Sequence, residues 1–122
     1  MTSLDEYDPI NENKFRHMKT VITSSGESLA SSFDMRFGRA AYFCVLDQES
    51  GRTEFLENVN KDDSHGAGTK VAEKLIEMGV KKAVSGDFGP KAKELLEKFH
   101  VQMVVLQNTG QSVGDIVKKM KN

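Results

Sequence analysis

The chain has 122 residues, with 17 Lys and Arg against 18 Asp and Glu, a formal net charge of −1. That length suits one domain around one core, and the near-neutral balance speaks against a general nucleic-acid or membrane-surface binder, which carries a basic excess. The single cysteine, Cys44, excludes an internal disulfide and a protein-built cysteine zinc or iron–sulfur site, so a reducing, cytoplasmic setting is expected.

Residues 1–17 place Leu4, Tyr7, Ile10 and Phe15 among acids, amides and Pro9 with no sustained period. They are expected to form a flexible extension, with a structured cap as the alternative, and the domain is expected to span 18–122. This polar, mixed-charge stretch has neither signal-peptide nor transit-peptide character. No apolar run approaches the roughly 18 residues that span a bilayer, so no membrane association is expected.

From Met18 the pattern becomes regular. MKTVIT (Met18–Thr23) predicts a first strand that ends in Ser24-Ser25-Gly26, and a polar loop follows to Phe37. AAYFCVLD (Ala40–Asp47) is almost wholly apolar, which predicts a strand buried on both faces. After a turn over Gln48–Gly51, RTEFLENV (Arg52–Val59) alternates and predicts a third strand paired back as a hairpin.

The period then changes. Val71, Ala72, Leu75, Ile76 and Met78 form a helical stripe over Thr69–Met78, stopped by Gly79. KKAVSG (Lys81–Gly86) predicts a short strand. Pro90 opens a second helix running to about Phe99, with Ala92, Leu95, Leu96 and Phe99 facing inward. VQMVVL (Val101–Leu106) predicts a last buried strand. Ser112 caps a final helix over Val113–Met120, with lysines in its last turn complementing the helix dipole. The order β-β-β-α-β-α-β-α implies a mixed five-stranded sheet with helices on both faces, a three-layer α/β/α domain.

If the second strand runs against the other four, one sheet end collects Ser24-Ser25-Gly26, Asn60, Gly86-Asp87-Phe88-Gly89 and Gln107-Asn108. Arg36-Phe37-Gly38-Arg39 and His65-Gly66-Ala67-Gly68 reach the same rim. Open α/β sheets bind ligands at such carboxyl ends, and helix starts after Gly66 and Gly89 favour an anion there. His65, in a Gly-flanked loop, is a candidate ligand or base, including a metal ligand, against a loop histidine with one local hydrogen bond. Gly38 is expected to supply a bend that lets Arg36 and Arg39 reach an anion. The alternative is two surface arginines paired with Asp34 and Asp47. Asp87 is placed either to cap the second helix or to contact a ligand. Cys44, between Phe43 and Val45, reads as a buried, inert thiol.

Several familiar patterns fail. GAGTK (Gly66–Lys70) lacks the spacing of a phosphate loop, and Gly66-x-Gly68 is two thirds of a dinucleotide fingerprint with Val71 at the third glycine. The first strand carries no carboxylate, which disfavours a magnesium-dependent nuclease.

Taken in order, Thr23-Ser24, Arg36-Phe37-Gly38-Arg39-Ala40, His65-Gly66-Ala67-Gly68 and Ser85-Gly86-Asp87-Phe88-Gly89-Pro90-Lys91-Ala92 resemble the dinitrogenase iron–molybdenum cofactor biosynthesis family. Its members include NifX-type carriers and orange-protein-like stand-alone domains. The resemblance covers Met18–Asn122; the seventeen residues before it depart from family domains, which usually begin at the first strand. It implies a ribonuclease-H-like sheet in the order 3-2-1-4-5 with strand 2 antiparallel. It also implies a non-catalytic carrier for a preassembled anionic metal–sulfur cluster of Fe–Mo, Fe–S or Mo–Cu type. Carried over by position, the contacts are Arg36, Phe37, Gly38, Arg39, His65, Gly66, Gly68, Gly86, Asp87 and Gly89. The implied partners are cluster-assembly or acceptor proteins, and a monomer is expected. Two alternatives stay open: an enzyme acting on a small phosphorylated metabolite at the same rim, with His65 as acid or base, and a regulatory or interaction module that uses residues 1–17.

Overall fold

A computed structural model of the chain describes residues 18–107 and 110–121. The extension expected over residues 1–17, and Asn108 at the rim, lie outside the described residues. The strands are β1 (Lys19–Ser24), β2 (Tyr42–Asp47), β3 (Thr53–Glu57), β4 (Val80–Ser85) and β5 (Gln102–Val105), and the helices α1 (Ala67–Glu77), α2 (Pro90–Lys98) and α3 (Val113–Lys121). Each lies within about two residues of its expected position. The sheet order is β3-β2-β1-β4-β5. β2 runs antiparallel to both β1 and β3, while β1, β4 and β5 are parallel.

Strand alternation splits the core in two. Val21, Phe43, Val45 and Ala83 point to one face and pack with Val71 and Leu75 of α1 and Leu96 of α2. Their neighbours Ile22, Cys44, Leu46 and Val84 point to the other face and meet Val113, Ile116 and Val117 of α3. The three central strands are apolar on both faces because both are covered, which explains their near-continuous hydrophobic runs. Among the described residues no helix is long and apolar enough to cross a membrane.

The helix ends follow local chemistry. Pro90 occupies the first turn of α2, where its missing N–H has no partner to lose. At the start of α3, Asp115 N–H donates to Ser112 Oγ at 3.1 Å and Ser112 N–H donates to Asp115 Oδ2 at 3.2 Å, a reciprocal capping box.

Two expectations of burial need correction. β5 is an edge strand, so half of its apolar run stays in contact with solvent, and Val105 is 54% exposed. Phe99 does not face inward: α2 ends at Lys98, and the left-handed backbone that follows at His100 turns the chain away, leaving Phe99 47% exposed.

Cys44 is fully buried. Burial pushes its thiol up to about 11 from a free value of 9.0. Between those values the unfolded chain has lost this proton and the folded chain has kept it, so stability falls as pH rises through that window. Iodoacetamide at pH 8 is expected to leave the native chain unmodified over a time in which the urea-unfolded chain labels fully, as read by intact mass.

Candidate functional site

The long loop between β1 and β2 crosses the carboxyl ends of the strands, and buried hydroxyls fasten it there. Thr23, fully buried at the end of β1, donates to the Asp34 carbonyl. Ser85 Oγ, 3.1 Å from Thr23 Oγ1, donates to the Met35 carbonyl at 3.4 Å. Backbone bonds continue the attachment: Gly86 N–H to Met35 O and Phe37 N–H to Asp87 O, both 3.1 Å. Residues 34–37 therefore lie beside 85–87, with Arg36 and Asp87 paired as a parallel bridge.

Asn58, 2% exposed, holds the next stretch. Its side-chain amide donates to Gly38 O at 3.0 Å and Ala40 O at 2.8 Å, and its Oδ1 accepts Asn60 N–H at 3.0 Å. Sequence reading did not single it out; the available signal was an amide directly after an alternating strand. Gly38 itself has no left-handed backbone. The chain does bend there as expected, Ala40 N–H donating to Arg36 O at 3.0 Å across a turn over 37–39. Glycine is nonetheless required by close approach to α1: a Cβ would stand 2.7 Å from Gly68 N and 2.8 Å from Gly68 Cα.

This approach builds a cleft of about 490 Å³ between the starts of α1 and α2. Phe37 and Phe88, with ring centroids 4.9 Å apart, pack together beside it. Gly66 and Gly89 are the N-caps of the two helices, and no side chain caps either one. The first intrahelical bonds run from Lys70 N–H to Gly66 O and from Lys93 N–H to Gly89 O, both 3.0 Å. The N–H groups of Ala67, Gly68 and Thr69, and those of Lys91 and Ala92, therefore have no intrahelical acceptor. All five of these residues line the cleft. Two helix starts meeting at one cleft combine N–H donors with the positive ends of two dipoles.

Arg36 and Arg39 also line the cleft, each with partners of its own. Arg36 forms a bidentate pair with Asp34, Nε to Oδ1 at 3.1 Å and Nη2 to Oδ2 at 3.0 Å, which raises the guanidinium pKa further. Its side chain is 68% exposed, whereas that of Asp34 is 9% exposed. Arg39 does not meet Asp47, which lies at the far end of β2. Its Nη1 donates to the carbonyls of Lys61 and Asp63, both 2.6 Å away, and Lys70 pairs with Asp63 at 2.9 Å. Arg39 thus tethers the loop that leads into α1.

The remaining candidates occupy distinct places. Asp87 lines the cleft and its Oδ1 accepts Gly89 N–H at 3.1 Å, an Asx turn ahead of α2; of the two roles expected for it, the helix cap does not form, since Gly89 is the N-cap. Gly86 sits beneath Met35, whose Cβ would be 2.6 Å from a Cβ at that position. His65 is exposed, directly precedes the Gly66 cap and is not among the cleft residues. Among the described residues no group of three His, Cys, Asp or Glu is placed to hold a metal ion.

Gly68 offers a separable test of the cleft. A Cβ there would make ordinary contacts, 3.6 Å from Ala92 Cβ and 3.7 Å from the Phe88 carbonyl, and would bridge the two helix starts. Gly68→Ala is expected to preserve or raise stability, by up to about 1 kcal/mol from helix propensity. It should lower anion affinity at the cleft by roughly tenfold, about 1.4 kcal/mol. Thermal unfolding and calorimetric titration of the same sample would read both.

Residues 18–122 match the family described as dinitrogenase iron-molybdenum cofactor. The apo orange protein of Desulfovibrio gigas superposes with a TM-score of 0.78 at 32% identity, over 85% of this chain and 88% of that one. A NifB-like protein from Thermotoga superposes with a TM-score of 0.72 at 32% identity, over 84% and 86% of the two chains. An uncharacterised protein of Methanocaldococcus jannaschii is 28% identical over 85 residues, 67% of this chain and 70% of its own length.

Proposed function

This chain belongs to the dinitrogenase iron-molybdenum cofactor family, and from that premise we propose that it is a non-catalytic carrier whose cargo is a preassembled anionic metal–sulfur cluster held between α1 and α2. The observation that carries this reading is the meeting of two uncapped helix starts at one cleft, flanked by Arg36 and Arg39. Such donors suit the terminal sulfides of a cluster that is already complete. N–H groups and guanidiniums neutralise charge at the cluster surface without replacing its ligands. The chain's only thiol is sealed in the core with its proton retained, so the sulfides arrive with the cargo. The proposed exchange partners are cluster-assembly and cluster-acceptor proteins. His65, beside the Gly66 cap, is proposed to approach the cargo from outside the cleft.

The test is reconstitution. The purified chain, mixed with tetrathiomolybdate and copper or with an iron–sulfur precursor, is expected to retain visible charge-transfer absorption through gel filtration. Loss of all colour on the column, together with selective binding of an organic phosphate ester, would replace this reading with the metabolite-binding one.

A further inference from the structure

We propose that the free edge of β5, with the apolar groove beside it, takes an extended strand of a partner protein. The inference does not depend on the identity of the cargo. Among the described residues β5 is the last strand of the sheet and bonds to β4 alone. Leu106 N–H donates to Ser85 O at 3.0 Å, which fixes which residues face β4. By the two-residue period, the backbone groups of Gln102 and Val104 turn toward β4, and those of Met103 and Val105 turn outward. An outward row of N–H and C=O groups is a template for another strand.

The two sheet edges differ in how they are defended. β3 carries Glu54 and Glu57, charges of the kind that blunt an edge. β5 reads Gln-Met-Val-Val, with no charge and no proline, and Val105 is 54% exposed. Beside it runs a groove of about 540 Å³ lined by Met103 and Val105 of β5 and by Pro90, Lys93 and Glu97 of α2. Met103 packs on the α1/α2 face of the sheet, so the groove lies on that face. A strand added to β5 would therefore send every second side chain into the groove, which selects apolar residues at alternate positions. Lys93 and Glu97, four apart on α2, border it with one charge of each sign.

The groove also continues past Val105 to residues 86–90, and Asp87–Pro90 line the anion cleft as well. One wall thus separates the docking groove from the cleft. That extent favours a partner's longer segment over a second copy of this chain, whose own β5 supplies only four residues.

The probe is a ten-residue peptide of alternating threonine and valine with lysines at both ends, titrated into the ¹⁵N-labelled full chain. Amide shifts are expected at Met103, Val105, Phe88 and Lys93. Val105→Pro removes an outward N–H but no bond to β4, and should weaken the peptide at least tenfold. Val105→Lys, at an exposed position, should do the same with the fold intact, as should N-methylation of alternate peptide amides. Shifts centred on Glu54 and Glu57, equal binding of the N-methylated peptide, or β5 shifts produced by concentrating the chain alone would each overturn the proposal.

Discussion

Replacing Arg36 and Arg39 together by alanine is expected to weaken binding of an anionic thiometallate by about a hundredfold or more. A charge-assisted hydrogen bond contributes about 1.5–3 kcal/mol, and losing two amounts to at least about 3 kcal/mol, or roughly two decades in affinity. The two residues act differently. Arg36 is already engaged by Asp34, so Arg36→Ala removes a cation and also uncovers a carboxylate that is 9% exposed beside the cleft. Arg39→Ala releases the Lys61 and Asp63 carbonyls and so loosens the loop entering α1. Arg39→Lys keeps the charge but cannot reproduce the planar guanidinium fork, and it should fall between wild type and alanine. Calorimetric titration with tetrathiomolybdate at fixed ionic strength reads these effects. Equal affinity for the wild type and the double variant would remove both arginines from the site.

Asn58→Ala is expected to cost about 2–4 kcal/mol of stability, because it takes the donor from the buried Ala40 carbonyl and from the part-buried Gly38 carbonyl at once. With a urea dependence of roughly 1.5 kcal/mol/M, the midpoint should fall by about 2 M. Asn58→Asp should be no better: it turns an acceptor toward two carbonyls. Val59→Ala, one residue on and 75% exposed, is the control and should shift stability by less than about 0.5 kcal/mol. The mechanism also predicts a functional loss in chains that still fold at low temperature. Releasing Gly38 and Ala40 lets Phe37–Arg39 move away from α1, so cleft affinity should drop by more than the unfolded fraction explains.

The element order and the α/β/α layering were legible because period two changes to period 3.6 after residue 60, and because the central strands lack polar alternation; the sheet order 3-2-1-4-5 came from the family resemblance. The gathering of 36–39, 66–68 and 87–89 at one rim followed from strand direction alone. Other features depend on packing partners that no local pattern names. Val101–Leu106 has the same apolar content whether it is central or at an edge, and its place at the edge among the described strands is what exposes Val105. Phe99 keeps the helical spacing of Ala92 and Leu96, but the helix stops one residue short of it. Gly38 was recognisable as special, while the reason, backbone contact with Gly68, lies 30 residues away in sequence. Asn58 is the hardest case: a single amide gives no periodic signal, and its importance comes from two carbonyls on a loop that precedes it by about 20 residues.

The most direct test of the central claim is a backbone NMR titration of the full chain with tetrathiomolybdate. A carrier that holds an anion between two helix starts predicts that the amides of Ala67, Gly68, Thr69, Lys91 and Ala92 shift together, saturating with a single affinity and accompanied by Arg36–Arg39. Shifts confined to the lysines of α3, or spread over the surface without saturation, would contradict it.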